Sequence, residues 1–263
     1  MELLISALNC DPQSLIKHMN LSTNAVMVHQ CDRETVKTIT HPSGAIVHLF
    51  ENRERGVGKS RNLALSKATD EIILFSDEDI VYYDGYESKV EEEFNKHPEA
   101  DILLFNVDVC PERKTYWNDA FHKVTKLNCG RYPAYSIAAR RLSLERARVK
   151  YSELFGGGAK YSNGEDSLFL MDCLRAGLKL YATPVLIGKE EARESTWFHG
   201  FTEKFFFDRG VLFAYLYREF AGIWALRFLI TKKEMFQGEI NRKKACKLIF
   251  SGIKCGNSEM KKL

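Results

Sequence analysis

Three stretches of this chain hold residue types at spacings that could do chemistry. The first covers residues 71–79: an apolar run at 72–75 that reads as a buried strand, then Asp77, Glu78 and Asp79. Acids just past a strand's carboxyl end lie where an open parallel sheet binds ligands. An Asp-x-Asp there suits a hard divalent cation held against phosphate oxygens. The ordinary alternative is a turn or a helix cap, because Asp side chains satisfy free backbone N–H groups. The second stretch is a basic loop at 51–62, in which Gly56, Gly58, Lys59, Ser60, Arg61 and Asn62 lead into a helix expected over 59–68. Glycines let backbone N–H groups approach phosphates, and a helix start adds partial positive charge. The third covers 154–166, where Gly156, Gly157 and Gly158 are followed by Gly164, Glu165 and Asp166 at the start of a helix. Acids in a first turn favour the helix dipole whether or not they do chemistry.

Gly58-Lys59-Ser60 also matches the end of the phosphate-binding pattern Gly-x-x-x-x-Gly-Lys-Ser, which would make Lys59 the phosphate lysine of a nucleotide hydrolase. The position of the first glycine holds Arg53, and the following helix is short. Hydrolysis therefore stands as an alternative.

The elements that must position these residues alternate. Strands are expected over 3–8, 25–29, 46–50, 72–75, 101–107 and 179–183, and helices over 12–19, 86–96, 140–149 and 165–176. This order argues for an α/β class with parallel βαβ units. Residues 110–130 show no clean period and read as an insertion near a substrate. Residues 203–230 are dense in aromatics, yet their most apolar window holds Arg218, Glu219 and Arg227. Each such charge costs about 2.5–3.5 kcal/mol at a bilayer centre, which argues against a spanning helix. Two readings stay open: helices packed against the domain, or aromatic and basic helices lying on a membrane surface.

At 263 residues, with 45% hydrophobic and 28% charged residues, the chain can bury a full core. Its net charge of +3 is too small to argue for a nucleic-acid partner. The distribution says more: residues 231–263 hold nine Lys or Arg against three acids, leaving the first 230 residues at −3. A basic tail behind an acidic body fits an anionic membrane surface, or a solvated helix face. The seven scattered cysteines show no metal-binding spacing, and the N-terminus has no basic region before its short apolar run. Free thiols and a cytoplasmic location are the expectation.

Taken in order, the Gly56-x-Gly58-Lys59-Ser60-Arg61-Asn62 loop, the strand ending in Asp77-Glu78-Asp79, and Gly164-Glu165-Asp166 resemble the family 2 glycosyltransferases of the bacterial surface-polysaccharide type, over about residues 2–200. The resemblance implies a GT-A fold, a Rossmann-like and mostly parallel sheet with flanking helices. The expected division is a nucleotide-sugar-binding and catalytic domain at 1–200 and a helical extension at 201–263. It further implies a single-sugar, inverting transferase that moves a sugar from a nucleotide sugar, expected to be a UDP-sugar, to a glycan or lipid-linked acceptor, with Mg2+ or Mn2+ as cofactor. From the free thiols and the basic, aromatic C-terminal part, the expected location is cytoplasmic, peripheral on the inner face of the plasma membrane. On matching positions, Asp77 would contact the ribose, Asp79 would hold the cation, and Arg61 with Lys59 would meet the nucleotide. Asp166, with Glu165 beside it, would be the general base, and Glu78 an exposed neighbour. The family's Asp-Asp-Gly-Ser turn is replaced by Gln30-Cys31-Asp32, so Asp32 would stand in for the acid that reads the base. Ser195 to His199 resembles the segment that closes over the diphosphate, with Trp197 stacking on a sugar or in the core and His199 completing the metal site or serving structure. The sequence contains no Gln-x-x-Arg-Trp, which speaks against processive synthesis. A GT-A-like module that binds without turnover is the further alternative.

Overall fold

The structure is a computed structural model that describes residues 1–191, 200–236 and 240–262. The chain opens with β1 (Glu2–Leu8), α1 (Pro12–His18) and β2 (Asn24–Gln30). Asp11 caps α1 by accepting from the Ser14 amide at 2.9 Å, and Pro12 fills the first helical position. Then come β3 (Thr35–Thr40), β4 (Ile46–Asn52), α2 (Val57–Lys67), β5 (Ile72–Asp77) and β6 (Ile80–Tyr82). The middle of the chain holds α3 (Tyr86–Lys96), β7 (Ile102–Asp108), β8 (His122–Lys123), β9 (Ile137–Arg140), α4 (Arg141–Ala147), α5 (Glu165–Arg175) and β10 (Leu180–Glu190).

These strands form one ten-stranded sheet ordered β3-β4-β2-β1-β5-β9-β7-β10-β6, with β8 paired to β10. The pairs β4/β2, β2/β1 and β1/β5 are parallel, so their carboxyl ends share one edge of the sheet. This is the expected mixed α/β architecture of the GT-A fold. Four strands have no counterpart in the sequence-based expectation, the two-residue β8 among them. β3 is an exposed edge strand antiparallel to β4. β9 inserts antiparallel between β5 and β7 and is strand only because both neighbours demand it; its Ala138 and Ala139 carry no strand preference. β6 returns antiparallel to β10, bringing Glu190 opposite Ile80. β10 also runs past Pro184, where its register against β7 shifts, as a residue without an N–H requires.

Both faces of the sheet are covered. One core packs between the sheet and α2, α5 and the C-terminal helices, centred on Tyr151 stacked on Phe169 at 4.2 Å with Phe75 edge-on to both. The other lies under α1 and α3 and includes Tyr82, Tyr86 and Phe94. All seven cysteines are free thiols.

The last third forms α6 (Glu203–Tyr217), α7 (Ala221–Thr231) and α8 (Arg242–Met260). α6 sends Val211, Leu212 and Leu216 into the sheet-side core while Phe205, Phe206 and Phe213 pack against α7 and α8. The α6 and α8 backbones touch: a Cβ on Gly252 would lie 2.1 Å from the Phe207 carbonyl oxygen. The basic stretch at 231–263 is thus largely a packed helix rather than a loose tail. Among the described residues no helix is long and apolar enough to cross a membrane. Gly252→Ala should force the two helices apart and cost about 2 to 3 kcal/mol, read as a lower urea midpoint; an unchanged midpoint would show that the contact can relax.

Candidate active site

The shared carboxyl edge of β1, β2, β4 and β5 is where the sequence-predicted residues converge. Arg61 projects from the second turn of α2 and is 3% exposed. Its Nη2 donates to Asp77 Oδ1 at 2.7 Å, and its Nη1 to Asp166 Oδ1 at 2.8 Å and Glu165 Oε1 at 3.5 Å. The guanidinium also lies 5.2 Å from the centre of the Tyr151 ring. One buried cation on α2 thus joins the end of β5 to the first turn of α5, and Arg61 and Asp166 lie 105 positions apart. In this geometry Arg61 acts first on the carboxylates, where the family resemblance implied a direct nucleotide contact. The glycine loop sits alongside, with the Val57 amide donating to the Gly157 carbonyl at 2.9 Å.

A single guanidinium cannot neutralise three carboxylates. Burial pushes the Asp166 carboxyl up to about 8, with Glu165 and Asp77 pushing the same way and Arg61 opposing. Asp166 is therefore a base near neutrality, where a proton acceptor works best.

Asp79 lies on the other side of Asp77. Its Oδ1 is buried without a hydrogen-bond partner among the described residues. Burial, then Asp77 and Glu190, push its carboxyl up to about 7 against the pull of Arg113. Glu190 comes from the end of β10 and receives Arg113 Nη2 at 2.8 Å, and burial raises its pKa as well. Neither residue stands out in the sequence. Arg113 belongs to the aperiodic 110–130 segment, which side-chain bonds hold in place: Asn118 donates to the carbonyls of Leu104 and Thr183, both at 3.2 Å, and its amide donates to Asn106 Oδ1 at 3.0 Å.

An open cavity of about 470 Å³ lies at the ends of β1, β2 and β4, lined among others by Asn9, Cys10, His29, Asp32 and Glu51. Asp32 is on its rim, with a side chain 99% exposed and Arg55 Nη2 3.2 Å away. Glu51 forms the floor and is held by Thr35 and by Lys37 Nζ at 2.7 Å. His29, Cys31 and Glu51 bring one possible ligand atom each within 4.8 Å of one another. The Cys10 amide, however, donates to His29 Nε2 at 3.1 Å, which puts the proton of the neutral ring on Nδ1, 3.7 Å from Glu51 Oε1. Nε2 is thereby committed, Nδ1 has no hydrogen-bond partner among the described residues, and the trio forms part of the pocket wall.

Lys59 is half-exposed beside Glu54 at 3.3 Å. Ser60 is buried and bonded to Ser6 Oγ at 2.8 Å, and a Cβ on Gly58 would lie 2.3 Å from the Ser152 carbonyl oxygen. Gly58, Lys59 and Ser60 lie inside the first turns of α2, so the phosphate-loop resemblance is a packing motif. Glu78 is a correction too: it accepts from the Leu8 amide at 2.7 Å and closes the end of β1, where an exposed neighbour was expected. Trp197 and His199 lie outside the described residues.

Residues 32–156 match the family described as Glycosyl transferase family 2. Over that stretch, just under half of the chain, the sequence is similar to family 2 glycosyltransferases. Similar solved structures agree in fold. That of S. aureus TarS 1-349 covers 100% of this chain and 92% of its own at 12% identity with a TM-score of 0.62, and its complex with UDP-GlcNAc gives 0.59 at 14% identity with the same coverage. The mannosyltransferase PcManGT from Pyrobaculum calidifontis, in complex with GDP-Man and Mn2+, covers 97% of this chain and 75% of its own at 15% identity with a TM-score of 0.51. No curated protein matches by sequence. The edge carrying Arg61, Asp77 and Asp166 is the candidate active site.

Replacing Arg61 strands three acids. Arg61→Met should cost about 3 to 5 kcal/mol in urea unfolding at pH 8, and less at pH 5, where the stranded carboxylates take up protons. An equal loss at both pH values would rule out a charge origin. Asp166 has its own signature. Its folded pKa lies above the ordinary value of 3.8, so the native state holds a proton that the unfolded chain releases. Its contribution to stability should fall as pH rises from about 4 to about 8, on the order of 1 kcal/mol per unit. Asp166→Asn should flatten that slope; the same slope in the variant would place the titration elsewhere.

Proposed function

We propose that this chain is an inverting glycosyltransferase that moves one sugar from a nucleotide-sugar donor to a hydroxyl of a glycan or lipid-linked acceptor during surface-polysaccharide assembly. The observation that carries this reading is the Arg61 clamp, which holds a donor-side acid, Asp77, and an acceptor-side base, Asp166, on opposite arms of one guanidinium. In this reading residues 1–200 supply the chemistry, and the helices of 201–263 brace the face that carries α5.

The donor base would enter the cavity at Asp32 and Glu51, with the ribose at Asp77 and the diphosphate toward the α2 N-terminus and Lys59. A UDP-sugar is the expected donor. Asp166 would take the proton of the attacking hydroxyl. Glu165, also bonded to Arg61, would help keep that carboxylate oriented. Direct attack from the side facing Asp166, opposite the leaving phosphate, inverts the anomeric carbon.

A divalent cation, Mg2+ or Mn2+, fits the residues on the other side of Asp77. Asp79 offers a buried oxygen without a hydrogen-bond partner among the described residues, and Asp77 and Glu190 crowd it with negative charge against the pull of Arg113. Asp79 would hold the ion, which when bound supplies positive charge to the leaving diphosphate.

Nucleoside diphosphate release from a panel of nucleotide sugars, with and without Mg2+ or Mn2+, tests the reading. Release should require metal and acceptor, and Asp79→Ala and Asp166→Asn should each lower it roughly a hundredfold or more. Nucleotide-sugar binding with no release under any acceptor condition would favour the non-catalytic module. ATP hydrolysis lost in Lys59→Ala would favour the hydrolase.

A further inference from the structure

The C-terminal helices bury one side and leave the other without a partner. α7 packs Ala221, Ala225 and Leu229 inward. Its outward row, begun by Phe220 just before the helix, holds Phe220, Ile223, Leu226 and Ile230, which are 62%, 64%, 53% and 63% exposed. Single exposed apolar residues are common on soluble proteins, whereas a contiguous row along one helix face marks an interaction surface.

The neighbouring helix supplies the complement. On α8, Lys243, Lys247, Phe250, Lys254 and Lys261 repeat at intervals of four, three, four and seven residues, which puts them on one stripe of a helix. That stripe is exposed, and none of its four lysines is in an ion pair among the described residues. Phe250 joins the two rows, since a Cβ on Gly222 at the start of α7 would lie 3.7 Å from its ring. Beside Phe250, a shallow hollow bounded by Ile253, Lys254, Asn257 and Lys261 opens to solvent. Arg227, between Leu226 and Phe228, lies over the Trp224 ring at 4.9 Å and adds a further cation at the edge of the apolar row.

An apolar ridge flanked by a row of unpaired lysines matches a lipid–water interface with negative headgroups. We propose that the outer face of α7 and α8 docks on an anionic membrane surface. The Phe220–Ile230 row enters the interfacial layer, and Lys243, Lys247, Lys254 and Lys261 meet lipid phosphates. The two readings left open for these helices are then both met: their inner faces pack, and their outer face lies on lipid. The inference stands apart from the transfer chemistry, and its test reads no catalysis.

The test is flotation of the full-length protein with vesicles of phosphatidylcholine alone or mixed with phosphatidylglycerol. Binding is expected to the mixed vesicles, and roughly tenfold less to phosphatidylcholine alone or in high salt. The pairs Ile223→Glu/Ile230→Glu and Lys247→Glu/Lys254→Glu change only exposed side chains. Each should weaken binding roughly tenfold while leaving the urea midpoint unchanged. No binding to mixed vesicles, or variants that bind like the parent, would overturn the proposal. So would a dimer, seen by sedimentation velocity, that Ile223→Glu dissolves without any vesicle binding, since the face would then belong to a second copy of the chain.

Discussion

The burial of Arg61 is the constraint on which the rest of the site depends. A guanidinium taken out of water is tolerated only if its charge is met, and here Asp77, Asp166 and Glu165 meet it at Nη1 and Nη2 from two distant parts of the chain. The same contacts oblige the end of β5 and the start of α5 to lie next to each other. Burial keeps Asp166 basic, and the excess negative charge of three acids on one cation adds to it. Positioning and reactivity therefore have one origin.

The acid-rich edge continues through Asp79 to Glu190, where Arg113 is the offsetting cation. Its supports are indirect. β6 doubles back onto β10, and the 110–130 segment is held by amide bonds from Asn106 and Asn118 to neighbouring carbonyls. The C-terminal helices support the same edge from behind. α6 fills the core beneath α5, and α8 locks onto α6 through backbone contact at Gly252, so a basic sequence with the look of a tail is structural on one side and free on the other.

Much of this was legible before the fold was known. The strand ending in Asp77, the helix opening at Glu165, α1 with its Asp11 cap and Pro12, and the parallel core all follow from local pattern. β9 did not, because Ala138 and Ala139 become strand only through the ladders on either side. Arg113 and Glu190 did not, because neither lies in a periodic segment or a motif and their meaning is their nearness to Asp79. Gly58-Lys59-Ser60 misled because glycine and serine serve close packing as readily as phosphate binding.

The sequence by itself determined which residues could carry charge to the sheet's carboxyl edge, since strand periodicity and a following Asp-x-Asp depend only on neighbours along the chain. It likewise determined that the last third would be aromatic, basic and helical. The tertiary structure decided which acids share Arg61, which carboxyl lacks a partner, and which face of α7 and α8 is left to solvent. Those outcomes depend on distances between residues up to about a hundred positions apart, and on the burial that sets how strongly their charges interact.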